Sequence, residues 1–309
     1  MNVAPSVVIG LSAVVVAAGE SGPEVLLTTA DGSIGLPFGS FDPVGHRTFE
    51  LALRDFVTAQ TGFALGYVEQ LYTFGDLGRE TPIAEVQGCA RVVSVSYLAL
   101  AGDVAQGQKR AGLWTDWYRY FPWEDHQSDL GQRAAAQLIP ALLAWSHDAT
   151  RRDRIASAFG LGGAPWQESR VLERYELLYE AGLVHEAGRD RGEMLTPPPL
   201  SGEALASDHR RILATAIGRL RAKVVYRPII FDLAPPQFTL SALQDLVEQV
   251  CGIQLHKQNF RRSLEHSGLV VATGAMLQET GGRPAKIFTR SHASFAFGAP
   301  GLSLPRMRR

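Results

Sequence analysis

The chain holds 309 residues, 46% of them hydrophobic and 20% charged, the profile of an ordinary soluble globular protein with room for two domains. Cys89 and Cys251 stand far apart, without CxxC or metal-ligand spacing, so neither a disulfide framework nor a structural zinc is indicated, which suits a reducing cytoplasm. The net charge of −1 hides an asymmetry: residues 221–309 carry 12 Lys and Arg against 5 Asp and Glu, or +7, and residues 1–220 carry 18 against 26, or −8.

In chain order, the apolar run Val7–Ala18 has no basic residues before it and is too short to span a bilayer. Its β-branched content and the second run at 24–30 predict a β-hairpin. Further strands are expected at 66–74 and 91–100, with a helix over 47–61, a mixed α/β pattern. No transmembrane segment and no repeat is expected. The stretch Gly35-Leu36-Pro37-Phe38-Gly39-Ser40-Phe41-Asp42-Pro43, followed by a helix ending at Thr61-Gly62-Phe63, resembles the loop-helix-loop of Nudix hydrolases. In that family, clustered glutamates on the helix hold Mg²⁺ against a diphosphate. Aligned on Gly62, the family's Arg-Glu pair becomes Asp55-Phe56 and its paired glutamates become Ala59-Gln60, leaving Glu50 and Asp55 as the carboxylates of the helix. The resemblance therefore implies a Nudix-like fold that keeps its cleft and has lost catalysis, with no catalytic or metal-ligating residue. Such a cleft can still bind a nucleotide by stacking and by Arg–phosphate pairing, which makes Phe38, Arg54, Arg79 and Tyr97 the candidate effector-binding residues. Core packing explains Phe38 and Tyr97 equally well, and a solvated loop explains Arg79.

The middle of the chain is dominated by GLWTDWYRYFPWE at 112–124, either a staple packed against the sheet or an aromatic wall for a ligand. Helices are expected at 132–147, with a kink at Pro140, at 166–182 and at 201–221, the last two separated by Thr196-Pro197-Pro198-Pro199. Asp208-His209 reads as a partnered pair on a helix surface. The stripe Ile212, Ala216, Leu220 reads as a face for a neighbouring domain or protomer.

From Thr239 the pattern sharpens. Thr239 is a sound N-cap for an apolar-striped helix ended by Cys251-Gly252. A second helix over 256–267 places Phe260, Leu264 and Ser267 on one side and Gln258, Arg261, Arg262 and Glu265 on the other, with Lys257 and Asn259 at the flanks. Leu269–Ala272 and Lys286–Thr289 then form a hairpin whose re-entry turn is Gly281-Gly282-Arg283-Pro284. A polar cationic helix followed by a cationic hairpin is the plan of a winged helix-turn-helix. Its DNA-binding candidates are Thr239, Lys257, Gln258, Asn259, Arg261, Arg262, Arg283 and Lys286. Gln and Asn can pair with adenine and Arg with guanine, while either Arg can equally bind phosphate alone.

Together DHRRILATAIGRLRAKVVYRPIIFDL, FTLSALQDLVEQ, HKQNFRRSLEHSGLV and GGRPAKIF, with YVEQLYTFGD and VVSVSYLAL in the body, resemble the Nudix-related transcriptional regulators (NrtR). The middle helices and PWED resemble the NadQ-type branch. The resemblance implies an α+β chain: a degenerate Nudix-like α/β/α sandwich at 1–148, a helical linker or dimerisation region at 149–222, and a winged helix at 223–309. It implies a repressor of NAD-biosynthesis genes, a homodimer on a palindromic double-stranded operator, and control by an adenine nucleotide, ATP or ADP-ribose, with no cofactor required. A working Nudix pyrophosphohydrolase with an accessory domain is the alternative.

Overall fold

The computed structural model describes residues 7–20, 22–30, 32–76, 91–102, 112–277, 284–295 and 300–305. The N-terminal strands are β1 (Val7–Ala18), β2 (Pro23–Ala30), β3 (Ser33–Gly35) and β4 (Phe38–Ser40). They are followed by α1 (Phe49–Thr61), β5 (Tyr67–Phe74), β6 (Arg91–Ala101) and β7 (Leu113–Asp116). One sheet runs β3-β2-β1-β6-β5, with β4 added to β1 and β7 to β2. β1 lies at its centre, parallel to β6 from Val7↔Arg91 to Ala17↔Ala101. A strand covered on both faces needs apolar side chains at every position, which is why β1 reads as a continuous run rather than an alternation.

The two faces are covered differently. Leu11, Ala13, Val15 and Ala17 pack with Ala52, Leu53 and Val57 of α1. Thr48 caps that helix by accepting from Leu51 N, and Gly62 closes it at φ 70°, its N–H donating to Thr58 O. Val14 and Val16 point the other way, into a larger cluster with α6 (His209–Tyr226). That makes an α/β/α sandwich, the fold the resemblance implies, with its second cover drawn from beyond residue 148.

Between sheet and α6 come α2 (Asp129–Trp145), α3 (Ala149–Phe159), α4 (Val171–Glu180) and α5 (His185–Arg191). The Trp-rich stretch is β7 followed by 3-10 turns at Trp117–Arg119 and Pro122–Glu124, with Trp117, Phe121 and Trp123 buried. Of the two readings of the Ile212, Ala216, Leu220 stripe, the neighbouring domain is the one seen: the stripe packs with Val14 and Val16, because the second face of the sheet needs a cover. One expectation is corrected here. Asp208-His209 is not a surface pair: both residues are buried, and His209 Nδ1 accepts from Leu36 N at 3.0 Å. Among the described residues no helix is long and apolar enough to cross a membrane.

The C-terminal module comprises β8 (Gln237–Thr239), α7 (Leu240–Cys251), α8 (Lys257–His266), β9 (Val270–Leu277) and β10 (Ala285–Arg290). Its sheet order is β8-β10-β9, all antiparallel. α6 runs unbroken through residue 222, and one apolar cluster joins Val14 of the body to Leu246, Phe260 and Leu264 of this module.

Candidate nucleic-acid interface

The second helix of the module is positioned by the first. Thr239 caps α7 by accepting from Ala242 N at 3.1 Å, and Gly252 ends it in the left-handed region at φ 68°. Glu248 Oε1 then accepts from Leu255 N at 2.7 Å and from the Gln244 amide at 2.9 Å, fixing the turn. His256 caps α8, its side chain accepting from Asn259 N at 3.4 Å. Phe260 and Leu264 are buried against α7, so the opposite face of a ten-residue helix must meet solvent.

That outward face holds Lys257, Gln258, Asn259 and Arg262, all exposed. Arg261 differs: it is half-buried and its guanidinium donates to Ser241 Oγ on α7, so it braces the helix pair. Thr239 likewise acts as a cap, with its hydroxyl committed to the backbone. On the wing, Phe288 is buried and anchors β10 between Phe238 of β8 and Ala272 of β9, while Lys286 is exposed. Arg283 and the turn Gly281-Gly282 lie outside the described residues.

The +7 balance of the C-terminal third overstates the cationic surface. Arg290 is paired with Asp232 at 2.7 Å, Lys223 with Glu69, and Arg221 with Glu124 at 2.6 Å. Three of the twelve cations therefore hold the fold together, and among the described residues the exposed ones are Lys257 and Arg262 on α8, Lys286 on the wing, and Arg227.

Arg221 belongs to a buried cluster that sequence reasoning missed. Glu124, at the end of the Pro122–Glu124 turn, accepts from Arg174 Nε at 2.5 Å, Arg174 Nη2 at 2.8 Å and Arg221 Nη1 at 2.6 Å, and all three side chains are essentially inaccessible. Burial alone would raise the Glu124 carboxyl; the two guanidiniums overcome it and hold the carboxyl below the usual carboxylate range. Arg221 Nε also donates to Val250 O at 2.9 Å, His126 N to Gly252 O at 2.9 Å, and the Gln127 amide to Ile253 O at 2.9 Å. The body is thereby tied to the C-terminal end of α7 just ahead of α8.

Of the residues expected to line a nucleotide cleft, the described ones divide between the two faces of the sheet: Phe38 on one, Tyr97 and Arg54 on the other. Phe38, in register with Ser12, faces the α6 side, its ring 5.2 Å from that of His209. Tyr97, in register with Ala13, is buried on the α1 side. Arg54 is spent on structure: its guanidinium pairs with Glu50 at 2.8 Å and donates to the Leu65 and Gly66 carbonyls at 2.5 and 3.0 Å, closing the loop after α1. Arg79 lies outside the described residues. Gln60 brackets the Phe38 backbone, donating to its carbonyl at 2.6 Å and accepting from its N–H at 3.3 Å. Phe38 and Gln60 line a cavity of about 420 Å³ with Leu27, Thr28 and Leu113. Among the described residues no group of three or more His, Cys, Asp or Glu is placed to hold a metal ion.

Comparison with known proteins bears on both halves. Residues 230–289 match the family described as the NrtR DNA-binding winged helix domain. A curated relative, the ADPR responsive transcriptional repressor NtrR of Acinetobacter baylyi, is 37% identical over 96 residues, which are 31% of this chain and 38% of the relative. The chain thus matches well under half the length of that relative. Shewanella oneidensis NrtR, solved in complex with a 27mer DNA, is 20% identical and superposes with a TM-score of 0.55 over 97% of this chain and 99% of that one. The same Shewanella protein solved without that DNA gives 19% identity and a TM-score of 0.53 over the same shares. At these identities the likeness is one of fold, a Nudix-like domain carrying a winged helix.

Proposed function

We propose that this chain, which carries the NrtR winged helix on a Nudix-like body and so belongs with the Nudix-related NrtR regulators, is a DNA-binding repressor controlled by an adenine nucleotide. The observation that carries this reading is α8: an amphipathic helix, in a module matched by the NrtR DNA-binding domain, whose solvent face is Lys257, Gln258, Asn259 and Arg262. Set in a major groove, those side chains have the donors and acceptors to read base edges, and Lys286 on the wing can grip a flanking phosphate. The target genes are those of NAD biosynthesis and the operator is a palindrome met by a homodimer, since two-fold symmetry in protein and DNA go together. ADP-ribose is the first effector to test, because the curated relative is named for its response to it. Its site in the body is the cavity of Phe38 and Gln60, without catalysis.

Fluorescence anisotropy against a duplex from the chain's own upstream region, at stated salt, tests the DNA half. Arg262→Ala should weaken binding about 5- to 100-fold if it reads a base, and Lys286→Ala should lower the salt slope by about 1. Retention of full affinity by the Arg262→Ala, Lys257→Ala double variant would end the α8 assignment. Addition of ADP-ribose to the same titration tests the effector half.

A further inference from the structure

A second cavity lies away from the one lined by Phe38 and Gln60. It lies where the Pro122–Glu124 turn, α2 and α3 meet the turn of the winged helix, with a volume of about 600 Å³. Its walls are aromatic and aliphatic: Trp123, Trp166, Phe159, Ile139 and Leu161, with His126 beside Trp166 at a ring separation of 4.0 Å. The polar groups on its rim are the exposed amides of Gln132 on α2 and Gln254 on the winged-helix turn.

Two features point to a ligand. Trp123 is 1% exposed, and its indole N–H has no acceptor within the described structure. A buried donor left without an acceptor is costly, and a native fold normally supplies one. Second, none of the lining residues is Asp, Glu, Lys or Arg, so the cavity suits a neutral planar group rather than a phosphate or carboxylate. A purine ring meets these conditions: its faces fit aromatic walls, a ring nitrogen can accept from an indole N–H, and an amide side chain matches the adenine edge in a bidentate pair. The volume falls within the range of small-molecule sites and accommodates a nucleoside.

We infer that this cavity is a second small-molecule site, taking a purine nucleoside, walled by Trp123 and Trp166 and closed on the winged-helix side by Gln254. It is separate from the Phe38 cavity proposed for the effector. Because Gln254 sits between α7 and α8, the occupant would touch the body and the DNA-reading module at once.

The probe is adenosine, titrated into the full chain and followed by tryptophan fluorescence and calorimetry. The expected result is saturable binding that Ile139→Trp abolishes by filling the cavity. Trp123→Phe, which keeps an aromatic wall but removes the N–H along with the pyrrole half of the indole, should weaken it at least about three- to tenfold. Phe38→Ala, at the other cavity, should leave it unchanged. Absence of saturable binding to the folded wild type overturns the inference, as does binding lost in Phe38→Ala but kept in Ile139→Trp. Adenosine binding with this pattern in a chain that ignores every duplex supports the site while removing the repressor reading, so the two fail separately.

Discussion

Replacing Glu124 by Gln tests the buried cluster most directly. The side chain keeps its size, but two guanidiniums lose their shared countercharge, and one of the two oxygens that accept three charge-assisted hydrogen bonds becomes a donor facing other donors. Arg174 is 0% and Arg221 is 1% exposed, so water cannot take over. Breaking a buried ion pair by removing one partner costs about 3–5 kcal/mol, of which the stranded charges account for most. The Arg119–Glu203 pair at 2.5 Å is the internal control, because its side chains are 58% and 49% exposed. Such surface pairs are worth about 0–1 kcal/mol, so Glu203→Gln should be nearly silent. Urea unfolding of the three proteins at pH 7.5 supplies the comparison. The acid side gives an independent check. A carboxyl held below its ordinary value contributes stability that is present above that value and lost as pH falls through the folded one. Glu124→Gln should therefore lose less on acidification than the wild type. Equal costs for Glu124→Gln and Glu203→Gln would refute the reasoning, since burial would then be making no difference.

Three further outcomes are expected. Burial, with Arg189 nearby, pushes the His209 imidazole down from 6.5 to about 3, so it folds neutral. Its stability contribution should be complete above pH 6.5 and drain by up to about 1.4 kcal/mol per pH unit below that. His209→Gln should flatten the stability slope between pH 6 and 4; an unchanged slope counts against a buried neutral imidazole. Gly252→Ala should destabilise by about 1–3 kcal/mol, because φ is 68° and the new Cβ would run into the Glu124 carbonyl; a wild-type melting temperature would contradict it. Arg261→Ala should lower thermal stability as well as DNA affinity, whereas Arg262→Ala should lower affinity alone, since only Arg261 is tied to Ser241. Identical stability in both variants would remove that distinction.

The strands at 7–18, 24–30, 66–74 and 91–100, helix α1 and the helices of the C-terminal module were legible because pattern and punctuation agree there: Thr48 and Thr239 cap, Gly62 and Gly252 stop. Helix α3 escaped notice although Asp148 caps it and Gly160 ends it, because ATRRDRIASAF is too polar for its stripe of Ile155, Ala158 and Phe159 to stand out. The nucleotide cleft was drawn from resemblance without knowing which face of the sheet each residue takes. Phe38 and Tyr97 pair with the neighbouring residues Ser12 and Ala13, and successive strand residues point to opposite faces. The buried arginines did leave a signal. Arg174 sits in register with Val171, Tyr175 and Leu178, and Arg210 with Leu213, Ala214 and Ile217, at the spacing of a core stripe. A charge placed on such a stripe calls for a buried partner elsewhere, here Glu124 and Glu186.

That cluster changes how the winged helix should be regarded. A module on a flexible tether would need a solvated linker, yet the residues between α6 and β8 include Ile229, Ile230 and Phe231, all buried in a 3-10 turn, and Leu302 N donates back to Val224 O at 2.8 Å. His256, the cap of α8, donates its N–H to Pro305 O at 2.7 Å, so the C-terminal tail also grips the helix that faces outward. Arg221, His126 and Gln127 hold the end of α7 from the body side. Packed joints of this kind shift between discrete arrangements rather than bending continuously. On the proposed function, a ligand bound in the body would reach α8 through the Glu124 turn, and its effect on DNA affinity would equal its preference for one arrangement of that turn over another. Glu124→Gln should uncouple the two: DNA affinity without effector stays within a few-fold of wild type in the folded variant, while the effector-induced change in affinity shrinks. Anisotropy titrations with and without ADP-ribose measure both quantities, and an undiminished effector response in Glu124→Gln would place the route elsewhere.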